Sequence, residues 1–403
     1  MKKQKISLAL SAAIIALTVL MTSCSSPGSS SVQSETVTAT EAPTQSPEEK
    51  TLENMTLEQK AAQTVVAGLS GTEVDEDFQA LADRGIGGAI LFGSNITDSS
   101  QLVTLTNQIK ACAGEVPIMI AMDEEGGDVT RLPDDVLSMP SAYSIACAGS
   151  TEYAKLAGQN LGNQIKEFGL SSGFSPVLDI WSNPDNTVIG TRAYGTTADE
   201  VCTYGTEALR GIMSTGTIAV AKHFPGHGDT DVDSHYGLPV VTKTKAELEE
   251  MELKPFKAAI ASDIPGIMVG HILCSELDPD NPASLSKAIV TNLLKGELGF
   301  NGVVFTDDLT MGAVSEQYTA DEAAVRALKA GCDMLLVCFE YENAENTIDA
   351  IVSAVKNGQL DEERLDDAVL RILTMKSKYN VSSEQISEPD VEAINEKTME
   401  FLE

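Results

Sequence analysis

The sequence predicts an α/β fold, a (β/α)₈ barrel of the TIM type built as a single domain. Short apolar runs rich in β-branched residues alternate with longer amphipathic segments from about residue 51 to about residue 380. Apolar strands that alternate with helices are typical of a parallel sheet covered on both faces. Eight such units within this length favour a closed barrel over the alternative, an open doubly wound sheet with two lobes.

The hydrophobic pattern places the individual elements of this barrel. Strands are expected at residues 64–68, 88–92, 117–122, 174–180, 218–222, 266–272, 302–306 and 333–337. Amphipathic stretches between or after them predict helices at residues 151–168, 198–214, 245–262, 321–330 and 344–357. In a barrel of this kind the functional side chains lie at the carboxyl ends of the strands, so the residues at those ends are the candidates for a functional site.

The first 23 residues are typical of a secretory signal. Lys2, Lys3 and Lys5 form a basic start, residues 6–21 carry no charge, and small residues precede Cys24. A cysteine in this place resembles the lipidation site of a bacterial lipoprotein signal. It predicts an exported chain, anchored to a cell membrane on the extracytoplasmic face through lipidated Cys24. The alternative is an uncleaved anchor, since the apolar run is near the lower length limit for a span.

Two polar segments flank the predicted domain. Residues 24–50 are rich in Ser, Thr, Pro and Glu and cannot bury enough apolar surface to offset their ordering entropy, which predicts a tether. Residues 51–380 form the barrel domain, and residues 381–403 are expected as an acidic C-terminal tail.

The charge of the chain excludes one class of partner. Asp and Glu number 60 against 27 Lys and Arg in 403 residues, a formal net charge of −33. A surface this acidic repels phosphate, so we expect no nucleic-acid partner and no basic patch for an anionic membrane. The six cysteines after Cys24 contain no Cys-x-x-Cys pair, and their spacing neither compels nor excludes disulfides.

Charged and imidazole side chains gather where the predicted strands end. They are, in chain order, Asp123, Asp179, Lys222, His223, His271, Asp307 and Asp308. Polar groups in such places are costly to bury unless they act together, so this distribution predicts an enzyme.

Three of the four histidines fall within 13 residues of one segment, Lys-His-Phe-Pro-Gly-His-Gly-Asp-Thr-Asp-Val-Asp-Ser-His at 222–235. Its Gly- and Asp-rich part predicts a loop over the barrel mouth. Clustered imidazoles serve acid–base chemistry or metal binding. His223, His227, Asp229 and Asp233 are the candidate ligands for a metal, although no metal motif is present and no metal or organic cofactor is expected. A purely structural role is the third interpretation.

Two further segments carry carboxylates after a strand. Adjacent strand residues point to opposite faces, so one of Asp307 and Asp308 faces the barrel mouth; Asp307 is favoured, while Asp308 fits helix capping at least as well. Residues 123–131, Asp-Glu-Glu-Gly-Gly-Asp-Val-Thr-Arg, combine glycines that let the backbone approach a ligand with a carboxylate and an arginine.

Residues 123–131, 189–192, 222–235 and 305–311 together resemble glycoside hydrolase family 3, in its branch of β-N-acetylglucosaminidases. The long histidine segment is the most specific part, and the resemblance runs from about residue 51 to about residue 378. Asp128 departs from the pattern, because the family usually has arginine after the two glycines. The chain looks like the short form of the family, with one catalytic barrel domain.

The resemblance implies retaining hydrolysis with three catalytic residues. Asp307 would be the nucleophile that forms a covalent glycosyl-enzyme, His235 the general acid and then the base, and Asp233 the carboxylate that orients His235. An imidazole can give and take a proton near neutrality, so it can replace the usual carboxylic acid. Around the sugar hydroxyls the resemblance places Asp123, Arg131, Arg192, Lys222 and His223.

Four other residues have open roles. His227 is expected to shape its loop, and His271 is a candidate pocket residue. Trp181 and Tyr194 either stack on the sugar or belong to the core. For Arg192, a surface salt bridge is the alternative to a clamp on the ligand.

The sequence thus predicts an exported exo-β-N-acetylglucosaminidase that acts on cell-wall, chitin-type or host oligosaccharides with terminal N-acetylglucosamine. A β-glucosidase, or an enzyme that uses phosphate as acceptor, is the alternative within the family. Outside the family stand a non-catalytic sugar-binding lipoprotein and a metallohydrolase. The oligomeric state is left open.

Overall fold

The computed structural model describes residues 45–230, residue 234 and residues 237–403. The predicted signal, Cys24 and most of the tether lie outside this part of the chain, and so do Asp233 and His235. Residues Gln45–Glu403 belong to one compact unit.

Strands and helices alternate along the described chain. The strands are β1 Val65–Gly68, β2 Gly88–Leu91, β3 Met119–Met122, β4 Val220–Phe224, β5 Val240–Val241, β6 Gly266–Val269, β7 Leu273–Cys274, β8 Val303–Thr306 and β9 Leu335–Val337. The helices are α1 Pro47–Asn54, α2 Leu57–Gln63, α3 Glu76–Arg84, α4 Ser99–Cys112, α5 Ala142–Cys147, α6 Thr151–Glu167, α7 Ala198–Glu200, α8 Thr206–Ser214, α9 Lys245–Glu250, α10 Leu253–Ile260, α11 Gly312–Ser315, α12 Ala320–Ala330, α13 Tyr341–Lys356, α14 Glu362–Lys378 and α15 Val391–Leu402.

All pairings between these strands are parallel. One sheet has the order β3-β2-β1-β9, a second has the order β4-β6-β8, and β5 pairs with β7. Isolated parallel bridges join Ala121 to Ser172, Val177 to Lys222 and Phe305 to Met334. The predicted α/β class with a parallel sheet is therefore confirmed.

Both faces of the strands are buried, as the apolar runs require. Val66, Ile90, Met119, Val220 and Phe305 lie in one core cluster, whereas the alternate residues of the same strands pack in a second cluster with the helices. This burial on both sides leaves the ends of the strands as the places where polar side chains reach solvent or a ligand.

The predicted strand at 174–180 is replaced by irregular backbone with single bridges at Ser172 and Val177. Phe174 has φ of +42°, outside the β region, and Pro176 has no N–H to donate to a ladder. The apolar residues of the segment are buried as expected, but the hydrogen-bond pattern of a strand cannot form there.

Two predicted helices are interrupted, and one helix was not predicted. Residues 198–214 form α7, a π-helical turn at Val201–Gly205 and then α8. The predicted helix at 245–262 divides into α9 and α10 at Met251, whose φ and ψ are −134° and −82°. A π-helix at Ala288–Glu297, which the pattern did not predict, precedes β8.

The domain boundaries at both ends extend beyond the predicted ones. Helix α1 begins at Pro47, with a capping box from Ser46, inside the segment predicted as tether. The expected acidic tail contains α15, whose Phe401 ring stacks on Tyr153 of α6 with 4.3 Å between centroids. Residues 381–403 therefore pack on the domain, because the amphipathic face of α15 is wide enough to be buried.

Two further findings concern the helices and the cysteines of the described ranges. Within the described ranges, no helix has the length and apolar character needed to cross a membrane. The six cysteines of these ranges, Cys112, Cys147, Cys202, Cys274, Cys332 and Cys338, are all free thiols.

Candidate active site

The carboxyl ends of the strands surround a cavity of about 400 Å³. Six of the predicted site residues line it, namely Asp123, Arg131, Arg192, Lys222, His223 and Asp307. A larger groove of about 910 Å³ lies among the outer helices and contains none of them. We take the smaller cavity as the candidate site, because it collects the charged side chains that the sequence singles out.

Two cations and two carboxylates form one network in this cavity. Lys222 Nζ lies 2.5 Å from Asp123 Oδ1 and 2.7 Å from Glu125 Oε1. Arg192 donates two hydrogen bonds of 2.8 Å to Glu125, one to each carboxylate oxygen. Bidentate pairs of this kind hold both partners in a fixed orientation. Arg192 thus forms a salt bridge, as the alternative to a ligand clamp expects, but the pair is buried beside the cavity and not on the surface.

The charges of this network stabilise one another. Burial alone would raise the pKa of Glu125, but the Arg192 and Lys222 cations hold that pKa far below its usual value. Burial likewise opposes the charge of Lys222, yet Asp123 and Glu125 raise its pKa. Glu125, Arg192 and Lys222 are therefore ionised at neutral pH, and they give the cavity a fixed charged network.

The loop after β3 owes its shape to Glu124 and two glycines. Glu124 Oε2 accepts hydrogen bonds from the backbone N–H of Arg131 at 2.6 Å and of Leu132 at 3.1 Å. Gly127 has φ of +60°, and a Cβ there would lie 2.6 Å from the Cβ of Ser141. The tight loop places Arg131 at the cavity, where its Nη1 donates to the carbonyl of Thr130.

His223 is held by a buried carboxylate. Its Nδ1 lies 2.7 Å from Asp179 Oδ2, and the other oxygen of Asp179 accepts the backbone N–H of His227 at 2.6 Å. Burial would raise the pKa of Asp179, but His223 and His227 keep it lowered. The pair fixes the ring of His223 with Nδ1 turned away from a ligand.

Asp307 follows β8 and faces the cavity. Its backbone N–H donates to the carbonyl of Val269, and its Oδ1 accepts the N–H of Asp308 at 2.9 Å. Burial alone would raise its pKa, but the rings of His271 and His223 and the N–H of Asp308 hold the pKa below its usual value. Asp307 is therefore an ionised carboxylate at the cavity surface, the state that a nucleophile requires.

Asp308 fixes the neighbouring loops. Its oxygens accept hydrogen bonds from the N–H and hydroxyl of Thr310 and from the N–H of Cys338. His271 lies behind this segment, fully buried, with its ring nitrogens 2.7 Å from Ser284 Oγ and 2.8 Å from the carbonyl oxygen of Asp308. His271 does not line the cavity, so its expected place as a pocket residue is corrected.

His227 lies in the histidine segment as a buried, fully bonded ring. Its Nδ1 lies 2.8 Å from Thr230 Oγ1 and its Nε2 3.3 Å from Ser234 Oγ. Gly228 lies so close to the backbone at Ile180 that a Cβ would come within 1.7 Å of the Ile180 oxygen. These contacts agree with the expected loop-shaping role of His227.

The aromatic residues Trp181 and Tyr194 lie outside the cavity. Tyr194 is buried in the core, and Trp181 packs edge-on against Tyr143, so neither lines the cavity. Outside residues 1–44, 231–233 and 235–236, no three or more His, Cys, Asp or Glu side chains are grouped to hold a metal ion. Asp229, a candidate ligand, pairs with Lys243 at 2.7 Å.

Sequence reasoning missed, or left without a role, three residues of the site: Glu125, Glu124 and Asp179. Glu125 reaches Arg192 across 67 positions of the chain, and Asp179 reaches His223 across 44. The signal available for Asp179 was its place at a predicted strand end. For the two glutamates the only signal was their position beside Asp123.

Together these groups suit a polyhydroxylated ligand that undergoes substitution at one carbon. Lysine, arginine and imidazole groups line the cavity, and the ionised Asp307 is available as a nucleophile or a base.

Comparisons with known proteins agree with this description. The family description "Glycosyl hydrolase family 3 N terminal domain" matches residues 56–375. "Beta-hexosaminidase A" of Pseudoalteromonas piscicida is 32% identical over 328 residues, which are 75% of this chain and 55% of that protein. "Beta-hexosaminidase LpqI" of Mycobacterium tuberculosis is 35% identical over 324 residues, 79% of this chain and 82% of that protein.

A solved structure is similar over most of the chain. The glycoside hydrolase family 3 β-N-acetylglucosaminidase from Paenibacillus sp. str. FPU-7 superposes with a TM-score of 0.81 at 39% identity, covering 86% of this chain and 68% of that one. This chain thus spans little more than half of the Pseudoalteromonas relative and about two thirds of the Paenibacillus protein.

Proposed function

Because the chain belongs to glycosyl hydrolase family 3, we propose that it is a retaining exo-β-N-acetylglucosaminidase. Its substrates are oligosaccharides that end in β-linked N-acetylglucosamine, of the cell-wall or chitin type. The observation that carries the proposal is the cavity in which ionised Asp307 lies among Asp123, Arg131, Lys222 and His223. The names of the two hexosaminidase relatives support the choice of sugar.

The proposal includes closure of the strands into a (β/α)₈ barrel. The bridge from Phe305 to Met334 joins β8 to the residue directly before β9, which links the two larger sheets on one side. The bridges at Ser172 and Val177 link β3 and β4 through the irregular segment on the other. A ring in this order places every strand end of the site around one mouth.

The proposed chemical steps combine the ionised Asp307 of the cavity with the roles that the family resemblance implies for Asp233 and His235. Asp307 attacks the anomeric carbon while His235 protonates the leaving oxygen, which yields a glycosyl-enzyme ester and the free aglycone. His235, now neutral, takes a proton from water, which attacks the same carbon and releases the sugar and Asp307. Asp233 stabilises the imidazolium form of His235. Lys222, Arg192 and Asp123 hold the sugar hydroxyls, and no cofactor enters these steps.

The chain reaches its substrate outside the cytoplasm in this proposal. The support is the sequence of residues 1–24, a basic start, an uncharged run and a cysteine preceded by small residues. A lipid on Cys24 would keep the enzyme at the extracytoplasmic face of the membrane.

The test is release of 4-nitrophenol by residues 45–403 from the N-acetyl-β-glucosaminide and the β-glucoside side by side, with and without phosphate. The proposal predicts activity on the N-acetyl sugar that phosphate leaves unchanged, with free N-acetylglucosamine as product. Preference for the glucoside would overturn the substrate, and a sugar 1-phosphate as product would overturn hydrolysis. No turnover of either glycoside by folded protein would favour a sugar-binding lipoprotein.

A further inference from the structure

Two phenylalanines with stacked rings, Phe92 and Phe339, line the cavity that also contains Asp307. Phe92 directly follows β2 and Phe339 lies two residues after β9; both strands flank β1. The ring centroids are 5.4 Å apart with 22° between the planes, and both side chains line the cavity. Phe339 is 57% exposed, more than any other large apolar side chain in the described ranges.

The backbone holds this exposed ring in place. Glu340, the residue after Phe339, has φ of +63°, a conformation that costs a non-glycine residue free energy. The N–H of Cys338 donates to Asp308, and the side chain of Asn343 donates to the carbonyl of Phe339. These bonds tie the Phe339 backbone to the loop that also carries Asp307.

Phe92 is anchored in the same way. Its N–H donates to Asn95 Oδ1 at 2.7 Å, and the buried Asn95 side chain in turn donates to the carbonyls of Leu69 and Gly71. Phe92 is half-buried and supports Phe339 from one side. Single exposed apolar residues are common on protein surfaces, whereas two anchored aromatic rings at a polar cavity indicate a binding surface.

The cavity has charged residues at its closed end and aromatic residues at its open end. Lys222 is almost fully buried and marks the closed end, where the charged donors lie, whereas Phe339 marks the open end. A volume of about 400 Å³ is near the lower end of ligand pockets, which leaves room for one sugar ring within it. The group attached to that sugar therefore lies at the mouth, against an aromatic surface.

We propose that Phe92 and Phe339 bind the ring of the leaving group, so that Phe339 determines the preference for the aglycone. A pyranose offers a face of C–H bonds and an aryl group offers a π face, and both pack on an aromatic ring. The inference rests on the proposed glycosidase function, since it assigns a place to the part of the substrate beyond the scissile bond.

The experiment compares three N-acetyl-β-glucosaminides that differ in the leaving group: N,N′-diacetylchitobiose, the 4-nitrophenyl glycoside and the methyl glycoside. The variants are Phe339→Ala, Phe339→Tyr and, as a control, Leu156→Ala, which removes an apolar side chain of α6 that is 41% exposed. Phe339→Ala lowers kcat/KM about tenfold on the first two substrates and less than twofold on the methyl glycoside. Phe339→Tyr keeps kcat/KM near the wild-type value on all three glycosides, and so does Leu156→Ala.

The outcomes separate this inference from the proposed function. If the wild-type chain cleaves all three glycosides and Phe339→Ala affects them equally or not at all, the aromatic platform is contradicted and the glycosidase function stands. If Phe339→Ala lowers kcat/KM on the nitrophenyl glycoside alone, the two rings bind aryl groups only, and the proposal that they bind a sugar is contradicted. If the folded wild-type chain cleaves none of the glycosides, the proposed function itself fails.

Discussion

Glu125 orients two of the cations that line the cavity, Lys222 and Arg192. It holds Lys222 and Arg192 at once and lies 8% exposed between them. Removing the Glu125 charge leaves buried Arg192 without a carboxylate and Lys222 with Asp123 alone, which costs more than an exposed ion pair contributes. Glu125 is thus a positioning residue for two of the groups that we assign to the sugar.

We predict that Glu125→Gln raises KM about tenfold or more while kcat changes less, because Lys222 and Arg192 lose their fixed orientation toward the sugar. Steady-state kinetics with the 4-nitrophenyl substrate measures this. The matched control is Asp333→Asn, since Asp333 is also buried and bound by a lysine and an arginine, Lys295 and Arg364, outside the cavity. Both variants lower Tm; if they also change KM alike, Glu125 has no special role.

A second prediction at the residue scale concerns His235. His235→Ala lowers kcat/KM by about 10²–10⁴-fold on diacetylchitobiose, whose leaving oxygen needs a proton, and much less on the 2,4-dinitrophenyl glycoside, whose leaving group departs as an anion. Rates on both substrates measure the difference. Equal losses on the two substrates would contradict a general-acid role.

At the scale of elements, helix α14 carries a buried lysine at the end of the sheet opposite the cavity. Lys376 Nζ donates to the carbonyl of Pro117 at 2.7 Å and to Gln63 Oε1 at 3.0 Å, without a carboxylate partner among the hydrogen bonds of the described residues. Burial lowers the pKa of Lys376 to about 7. The packing of α14 against the sheet should therefore depend on pH.

The sign of this dependence follows from proton uptake. Between about pH 7 and the ordinary lysine pKa of about 10.4, the unfolded chain binds a proton that the folded chain does not, so the free energy of unfolding rises with pH. The free energy of unfolding of the wild type, relative to that of Lys376→Met, rises by about 1.4 kcal/mol per pH unit in this range. Urea unfolding from pH 6 to pH 9.5 measures it, with Lys378→Met, an exposed lysine of the same helix, as control. A difference independent of pH would contradict a depressed pKa.

The strands were the elements most easily predicted, because continuous apolar runs are specific for buried parallel strands. The segment at 174–180 shows the limit of that rule, since the positive φ of Phe174 depends on tertiary packing. In the site, Asp123, Lys222 and Asp307 were predictable from their strand-end positions. The pairing of Glu125 with Arg192 was not, because it depends on how two distant loops meet.

At the scale of the whole molecule, we propose separate roles for the described domain and the N-terminal segment. Residues Gln45–Glu403 contain the cavity and its supporting network. Residues 1–24 carry the features from which we propose export and lipidation. Cleavage of substrate and location of the enzyme should therefore be separable by mutation.

We predict that Cys24→Ala moves the protein from the membrane fraction to the soluble fraction, because its lipid anchor is lost, while kcat/KM stays within twofold of the wild type. Cell fractionation with an activity assay measures both. Cys147→Ala, at an exposed cysteine of the domain, is the control and stays with the membrane. Retention of the Cys24→Ala chain in the membrane would indicate an uncleaved anchor instead.

In the mechanism that we propose, Asp307 attacks the anomeric carbon of an N-acetyl-β-glucosaminide. A fluorinated N-acetylglucosaminide with an activated leaving group forms the glycosyl-enzyme faster than water removes it, so mass spectrometry of the digested protein locates the label. We predict one label per chain, on the peptide that contains Asp307, and neither label nor turnover in Asp307→Ala. A label on another carboxylate, or turnover of the activated substrate by Asp307→Ala at the wild-type rate, would contradict the claim.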